Sequence, residues 1–231
     1  MTDITLYVAP YACPRVPTIA LEEAGVEFET KVVAFKAGEH KKPDYLAINP
    51  KGKVPALVVD GEPLTENVAI LTWIADAFPE AKLMPATSTP IEKLRQTADL
   101  AFCAGGLHPI VSRIRMPMMF AEGGEAIGAV KAKAMADMAG NAAMIDTRLA
   151  GGWWYGDEWS VVDGYLFWIW FRITGAGFPE AEYPNWAAHY ARSLERPAVQ
   201  RMLAREEGWQ ADLEARGLAL PANPPKAGAA A

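Results

Sequence analysis

The sequence predicts an α/β domain followed by an all-α helical-bundle domain, and three observations lead to this fold class. In the first third of the chain, short runs with strand character alternate with two runs of helical spacing. From residue 91 onward, apolar residues recur at helical spacing almost throughout. Between the two parts, residues 82–90 are rich in Pro, Ser and Thr, which predicts a linker.

The first part is predicted to contain four strands and two helices. Residues 4–8 (ITLYV) predict a strand, and residues 17–25 (PTIALEEAG) predict a helix capped by its final glycine. Residues 26–35 (VEFETKVVAF) alternate as a second strand, and the Asp-Gly pair within residues 54–64 (VPALVVDGEPL) predicts a hairpin. Residues 66–78 (ENVAILTWIADAF) return to helical spacing. The predicted order is β-α-β, a connection, then β-β-α.

The second part is predicted to be helical, and the whole chain divides into four segments. Gly and Pro separate the helical stretches of the second part, which are residues 91–121, 125–150, 161–175 and 184–207. The predicted division is an α/β domain over 1–81, a linker over 82–90, an all-α domain over 91–218 and a Pro/Ala-rich tail over 219–231.

Composition excludes several classes of function. The 231 residues are 51% hydrophobic and 22% charged, as in an ordinary globular protein, and the net charge is -6. No basic field or basic run is available to attract nucleic acid or an anionic membrane. Two cysteines and three scattered histidines show no metal-ligand spacing. With no signal peptide or membrane span in the pattern, we expect a cytoplasmic protein without a metal.

Cys13 lies at the junction of the first strand and the first helix, directly before Pro14. Pro14 suits the first helical position, which would make Cys13 the N-cap, and a helix N-terminus favours a thiolate. Pro17 has no N–H to bond back to Cys13, so the regular helix can instead begin later. A reactive thiol and a small buried hydrophobic side chain are both compatible with this position.

Two further motifs have main-chain features that suit a ligand. If the bond between Val54 and Pro55 is cis, the turn exposes the Val54 main chain to an extended peptide; a trans proline would only begin an edge strand. Glu66 and Asn67 stand at the start of an apolar helix, where an acid and helix amides can hold an α-amino acid head group. Simple helix capping is the alternative for this pair.

Together these motifs resemble the glutathione transferase family, in particular its bacterial beta class. The resemblance lies in residues 13–29 (CPRVPTIALEEAGVEFE), 44–76 (DYLAINPKGKVPALVVDGEPLTENVAILTWIAD) and 159–167 (WSVVDGYLF). It implies a thioredoxin-like domain that holds the co-substrate glutathione, γ-Glu-Cys-Gly, and an all-α domain for a small hydrophobic electrophile and homodimer formation.

The resemblance also implies roles for individual residues. Val54 before a cis Pro55 would pair with the cysteinyl backbone of glutathione, and Glu66 with Asn67 would hold the γ-glutamyl end. Two lysines lie near the family's contacts to the glycyl carboxylate, and an acidic protein that binds an anion needs a local cation. These are Lys36 and Lys53.

Three residues are candidates for the sulfur chemistry. The twelve positions from Cys13 to Gly25 match the beta class, in which a cysteine forms a mixed disulfide with glutathione and a histidine, here His108, lies nearby. In the zeta class the activating serine stands two residues before that cysteine, where this chain has Tyr11, so a hydroxyl remains a rival to the thiol.

The resulting prediction is a glutathione transferase that conjugates glutathione or exchanges it through Cys13. The alternatives are a glutathione-dependent lyase or reductase, such as ether cleavage or dehalogenation, and a non-catalytic glutathione-binding dimer. Residues 116–120 (MPMMF) are expected to contribute to the electrophile pocket, although such clusters are also common in cores. Ser160 and Asp163 form a capping-box pattern, which predicts a role in folding.

Overall fold

The computed structural model describes residues 2–219 and contains one four-stranded mixed sheet. The strands are arranged in the order β2-β1-β3-β4, with β1 parallel to β2 and β3 antiparallel to both β1 and β4. Their bounds are β1 Ile4–Val8, β2 Glu29–Val32, β3 Ala56–Val59 and β4 Glu62–Thr65. The inner strand β1 ends shortly before Cys13, and the inner strand β3 begins directly after Pro55.

The predicted turns and caps around this sheet are confirmed. Asp60 and Gly61 both have positive φ, 48° and 88°, as a two-residue hairpin turn of type I′ requires. Gly25 ends the first helix in the left-handed conformation with φ 64°, where glycine has no steric cost. The Asp-Gly pair and the helix-ending glycine therefore gave correct local predictions.

By internal contacts, the described chain divides into two compact units. The first unit holds residues 2–84 and 195–219, and the second holds residues 85–194. The helices of the first unit are α1 Arg15–Ala24, α2 Pro43–Ile48, α3 Asn67–Ala77 and, numbered in chain order, α9 Pro197–Ala215. The short helix α2 lies in the connection between β2 and β3, where the sequence pattern predicted no element.

The position of α9 differs from the sequence-based division, which placed residues 91–218 in a single all-α domain. The last helix packs on α1 of the first unit. Apolar periodicity predicts that a segment is helical, but it does not specify which core the apolar face joins. The predicted tail, 219–231, lies outside the described residues except for its first position.

The second unit is helical, as the sequence predicted. Its helices are α4 Pro90–Ala101, α5 His108–Arg115, α6 Gly124–Leu149, α7 Val161–Thr174 and α8 Pro184–Leu194. A π-helical turn, Phe102–Leu107, connects α4 to α5 and contains the fully buried Cys103. Helix α7 is buried along nearly its whole length and packs against α5 and α8, and α8 also packs against α6. Within residues 2–219, every helix is too short or too polar to span a bilayer.

Candidate active site

Cys13 and Val54, which are 41 residues apart in sequence, meet in the first unit. The Sγ of Cys13 donates a hydrogen bond to the carbonyl oxygen of Val54 at 3.5 Å, and both residues are buried. The peptide bond between Val54 and Pro55 is cis. From the dipeptide alone the trans form was expected, so the structure supports the arrangement that the family resemblance implied. A thiol therefore lies directly against the main chain of a cis-proline turn.

The start of α1 lies one residue further on than the sequence suggested. Pro14 is the N-cap, with Arg15 the first helical residue, so Cys13 directly precedes the cap. The N–H of Val16 donates to the Cys13 carbonyl at 3.0 Å, which replaces the bond that Pro17 lacks an N–H to make. Cys13 consequently lies in the turn before the helix, still close to its N-terminal end.

The residue before Val54 is held in place by two side-chain donors. The hydroxyl of Tyr45 and the amide of Asn49 both donate to the carbonyl oxygen of Lys53, at 2.7 Å and 2.6 Å. Burial raises the pKa of Tyr45 to about 12, so its phenol keeps the donated proton at neutral pH. These two bonds fix one side of the turn. Neither residue was predicted from sequence, because their importance depends on where α2 and its following turn fold back.

The Val54 main chain retains hydrogen-bonding capacity on its other side. Within residues 2–219 the Val54 N–H has no main-chain hydrogen-bond partner, although the residue is only 9% exposed. Buried main-chain N–H groups are nearly always paired with protein, water or ligand. An extended peptide placed along this edge would supply both an acceptor for the N–H and a donor for the carbonyl.

Glu66 and Asn67 form the start of α3, as predicted. Glu66 has φ 77°, a conformation that non-glycine residues rarely adopt, and its side chain is 67% exposed. Its carboxylate does not cap the helix but accepts a hydrogen bond from Lys51 Nζ at 2.6 Å. Lys51 also donates to the Thr65 hydroxyl at 2.8 Å, while Asn67 is buried as the first residue of the helix. The simple capping alternative therefore does not describe Glu66.

Lys51, which contacts this helix start, was not singled out from the sequence, and a contact of Lys36 or Lys53 with the glycyl carboxylate stays a prediction. Lys36 Nζ donates to the Gly217 carbonyl at 3.2 Å, and the contacts described for Lys53 are those of its main-chain oxygen. Lys51 had no local signal to distinguish it from Lys53 in the same Pro-Lys-Gly-Lys sequence, and only the folded turn brings it to Glu66.

Tyr11 lies two residues before Cys13 in a left-handed main-chain conformation, with φ 63°. Its N–H donates to Glu206 Oε1 of α9 at 2.8 Å. Burial, and secondarily the Glu206 carboxylate, raise the pKa of the Tyr11 phenol. The phenol is therefore neutral at physiological pH and can act on a sulfur only as a hydrogen-bond donor.

A small, mostly apolar pocket opens beside the Tyr11 turn within the first unit. It is formed by the end of β1, the segment after β2, and the last turns of α9 with the residues that follow. The lining residues are Ala9, Pro10, Tyr11, Val33, Phe35, Gln210, Leu213 and Leu218. A contribution of residues 116–120 of the second unit to an electrophile pocket stays a prediction. Those methionines and the phenylalanine are exposed in the structure.

His108 begins α5 in the second unit. Its Nδ1 lies 3.0 Å from the Tyr165 hydroxyl, and its ring packs edge-on against Trp168 at a centroid distance of 4.5 Å. These contacts give the histidine a fixed position within the helical unit. A contact between His108 and a bound sulfur stays a prediction.

The two cysteines differ in their surroundings. Complete burial raises the pKa of Cys103 far above the ordinary range of a thiol, with the nearby Asp99 and Asp163 carboxylates adding to the effect. Cys103 is therefore expected to be unreactive in the folded protein. Cys13 instead lies at a helix start and a cis-proline turn.

These features define a class of protein: a thioredoxin-like domain with a thiol against a cis-proline turn and an acidic helix start beside it, joined to a helical domain. Residues 2–76 match the family model for the N-terminal domain of glutathione S-transferase. Residues 128–192 match the model for the C-terminal domain of the same family. The chain belongs to the glutathione S-transferase family.

Individual relatives agree with this assignment over nearly the whole chain. The glutathione S-transferase GstA of Escherichia coli O157:H7 is 31% identical over 205 residues, which cover 87% of this chain and 98% of the relative. A sphingomonad glutathione S-transferase structure complexed with glutathione is 36% identical, with a TM-score of 0.77, and covers 88% of this chain and 98% of its own. A bacterial beta-class enzyme structure from Sphingomonas chungbukensis is 35% identical, with a TM-score of 0.76, and covers 87% and 98%.

Proposed function

We propose that this protein is a beta-like glutathione transferase that binds glutathione along Val54 and the start of α3 and performs sulfur chemistry at Cys13. The observation that carries the proposal is the 3.5 Å contact between the Cys13 thiol and the Val54 carbonyl at a cis proline. A tripeptide lying along this main chain would bring its own cysteine next to the protein thiol.

The site has separate groups for the parts of the tripeptide. The main chain of Val54 pairs with the cysteinyl residue in the manner of an added strand. The Glu66 carboxylate binds the γ-glutamyl ammonium, and Asn67 with the first amides of α3 binds the γ-glutamyl carboxylate. Lys36 or Lys53 binds the glycyl carboxylate. Both lysines belong to the same unit as Val54 and Glu66, and an acidic protein that binds an anion needs a local cation.

Two reactions are compatible with this arrangement. In disulfide exchange, the Cys13 thiolate attacks one sulfur of oxidised glutathione; a new S–S bond joins Cys13 to one tripeptide, and the other leaves as a thiolate that takes a proton from water. In conjugation, the glutathione thiolate forms a bond to an electrophilic carbon and the leaving group departs. Cys13 or the neutral Tyr11 phenol stabilises that thiolate by a hydrogen bond, and His108 is the predicted base or hydrogen-bond partner of a sulfur.

The apolar electrophile is proposed to bind in the all-α domain, as the resemblance implies. The pocket beside Tyr11 has a volume of only about 20 Å³, which is too small for such a substrate. The protein is also proposed to form a homodimer, as the resemblance implied. Exposed Ile91 and Leu94 on α4, 56% and 61% accessible, are apolar side chains that a second copy would cover.

The test is intact-mass analysis after incubation with oxidised glutathione. We expect one glutathione adduct on the wild type and on Cys103→Ala, and none on Cys13→Ala. Tyr11→Phe should still form the adduct, because that variant changes the phenol and not the thiol. The matched Cys103→Ala control shows that the adduct depends on the position of the thiol and not on any cysteine.

Conjugation of glutathione to 1-chloro-2,4-dinitrobenzene separates the two candidate activators. Loss of conjugation in Cys13→Ala with retention in Tyr11→Phe supports the thiol. The reverse pattern would assign the activation to Tyr11 and overturn the proposed role of Cys13. Failure of the wild type to bind millimolar glutathione would exclude the transferase and the lyase or reductase alternatives together, and would contradict the non-catalytic glutathione-binding dimer as well.

A further inference from the structure

A buried ion pair joins the start of α1 to α9 directly beside the thiol turn. Arg15 Nε donates to Glu206 Oε1 at 2.8 Å, and Arg15 Nη2 donates to Glu206 Oε2. The two side chains are only 3% and 5% exposed. Buried charges are retained only with good geometry and full hydrogen bonding, which this two-point contact supplies.

The same carboxylate also binds the main chain of the thiol turn. Glu206 Oε1 accepts a hydrogen bond from the Tyr11 N–H at 2.8 Å in addition to the bond from Arg15. Tyr11 has φ 63°, which for a residue with a Cβ is less favourable than an ordinary conformation. Such a conformation persists only where surrounding contacts enforce it, and the bond to Glu206 is one such contact.

We propose that Glu206 is a positioning residue for the sulfur chemistry: with Arg15, it holds the Tyr11 turn so that the Cys13 thiol stays against the Val54 carbonyl. This inference rests on the proposed function, since it names a residue that acts through Cys13. Tyr11 is two residues before Cys13, and the Cys13 carbonyl receives the first turn bond of α1. The turn is thus fixed on both sides of the thiol.

The other end of α1 provides a matched control. Glu22 is also buried, and its carboxylate also binds arginines of α9: Arg201 Nε donates to Oε2 at 2.6 Å, and Arg205 Nε donates to Oε1. Both acids therefore join the same two helices by ion pairs. Glu22 lies near the C-terminal end of α1, a full helix length from the thiol turn.

Electrostatics and positioning predict opposite effects for Glu206→Gln. Removing the carboxylate leaves the Arg15 charge near Cys13, which by charge alone would favour the thiolate and speed its reactions. Loosening the Tyr11 turn would move the thiol away from the N-terminal end of α1, which favours the thiolate, and from the Val54 carbonyl, which favours the neutral thiol. The proposal holds that the first effect is the larger, so the reactions slow. The sign of the change therefore distinguishes the two explanations.

The experiment measures alkylation of Cys13 by iodoacetamide in the full-length protein from pH 5 to pH 10, with Cys103→Ala as background. In this reaction an S–C bond forms, iodide leaves and the thiol proton goes to water. For Glu206→Gln we expect the rate at pH 7 to fall about tenfold and the midpoint of the pH profile to rise by about one unit. Glu22→Gln should lower the melting temperature comparably while changing the rate less than about twofold.

A double variant separates the effect on the thiol turn from a general loss of folding. Arg15→Met with Glu206→Met replaces the buried pair by apolar side chains, a change that is often neutral for stability. It removes both charges and the acceptor for the Tyr11 N–H, so the proposal expects the same slow alkylation in a folded protein.

Alkylation as fast as in the wild type, or faster, in the two Glu206 variants would overturn the proposal, as would an equal loss of rate in Glu22→Gln. Because iodoacetamide needs no glutathione, these results are independent of the proposed function. A wild type that fails to bind glutathione would contradict that function while leaving the effect of Glu206 on Cys13 measurable.

Discussion

The starts of α3 and α7 both contain an acidic residue, and their surroundings differ in nearly every respect. At α7, Asp163 is fully buried. Its carboxylate accepts hydrogen bonds from the Trp154 N–H at 2.7 Å and from the N–H and hydroxyl of Ser160 at 2.8 Å and 2.9 Å. The fourth partner is His189 Nε2, at 3.0 Å. At α3, Glu66 is mostly exposed and its main chain has a positive φ. Its carboxylate contacts the partly exposed Lys51.

This difference separates a carboxylate that stabilises the fold from the one that we propose binds glutathione. The oxygens of Asp163 are used by four donors from three segments, so the group has no capacity left for a small molecule. The Glu66 carboxylate faces solvent, and its partner can be exchanged for another cation at little cost. The starts of α3 and α7 share the same sequence feature, an acidic residue. Only the surroundings of each acid distinguish the two roles.

The largest expected effect is on stability, from Asp163→Ala. The substitution leaves the four donors to this carboxylate without their acceptor, so we expect a loss of about 3 kcal/mol in the free energy of unfolding. Urea denaturation followed by tryptophan fluorescence measures it. The affinity of the folded fraction for glutathione should stay within about twofold of wild type. A loss of affinity without a loss of stability would contradict the assignment of Asp163 to folding.

The next effect is on binding, from Glu66→Gln. The variant keeps the size of the side chain but loses the charge that attracts the γ-glutamyl ammonium, and a charge-assisted hydrogen bond contributes about 1.5 to 3 kcal/mol. Isothermal titration calorimetry should give a Kd for glutathione about 10- to 100-fold higher.

The stability of Glu66→Gln provides its control. Because the side chain is exposed, the free energy of unfolding should change by no more than about 0.5 kcal/mol. An unchanged Kd would remove Glu66 from the binding site, and a large loss of stability would place it with Asp163 as a folding residue.

The smallest expected effect comes from Lys51→Met. In the free protein Lys51 donates a hydrogen bond to the Glu66 carboxylate. Lys51 would therefore compete with the γ-glutamyl ammonium of glutathione for this carboxylate. Exposed ion pairs contribute little, and we expect the variant to bind glutathione about two- to fivefold more tightly at low salt, with the difference shrinking at high salt. Weaker binding in Lys51→Met would mean that the lysine itself contacts the ligand.

Features formed by residues close together in the sequence could be predicted at the starts of both helices. The spacing of Ser160 and Asp163 is a capping box, and the structure contains it, because both partners belong to a single turn. The hairpin and the helix-ending glycine were predictable for the same reason. The sequence could also place Cys13 and Glu66 at helix starts, where their chemistry is distinctive.

Contacts between distant segments were not predictable in this way. The His189 bond to Asp163 spans 26 residues, and the Glu206 bond to Tyr11 spans 195. The dipeptide Val54-Pro55 favours trans on its own, and the fold around it decides the isomer. The contact of Lys51 with Glu66, and the packing of α9 on α1, likewise depend on tertiary arrangement and leave no signal at short range.

A crystal structure of the wild-type protein grown with reduced glutathione tests the central claim most directly. We expect the cysteinyl main chain of the tripeptide within hydrogen-bond distance of both the Val54 N–H and its carbonyl oxygen. The γ-glutamyl ammonium should lie on Glu66, with Lys51 displaced. Glutathione bound elsewhere on the chain, or a Val54 main chain without contact to it, would contradict the account.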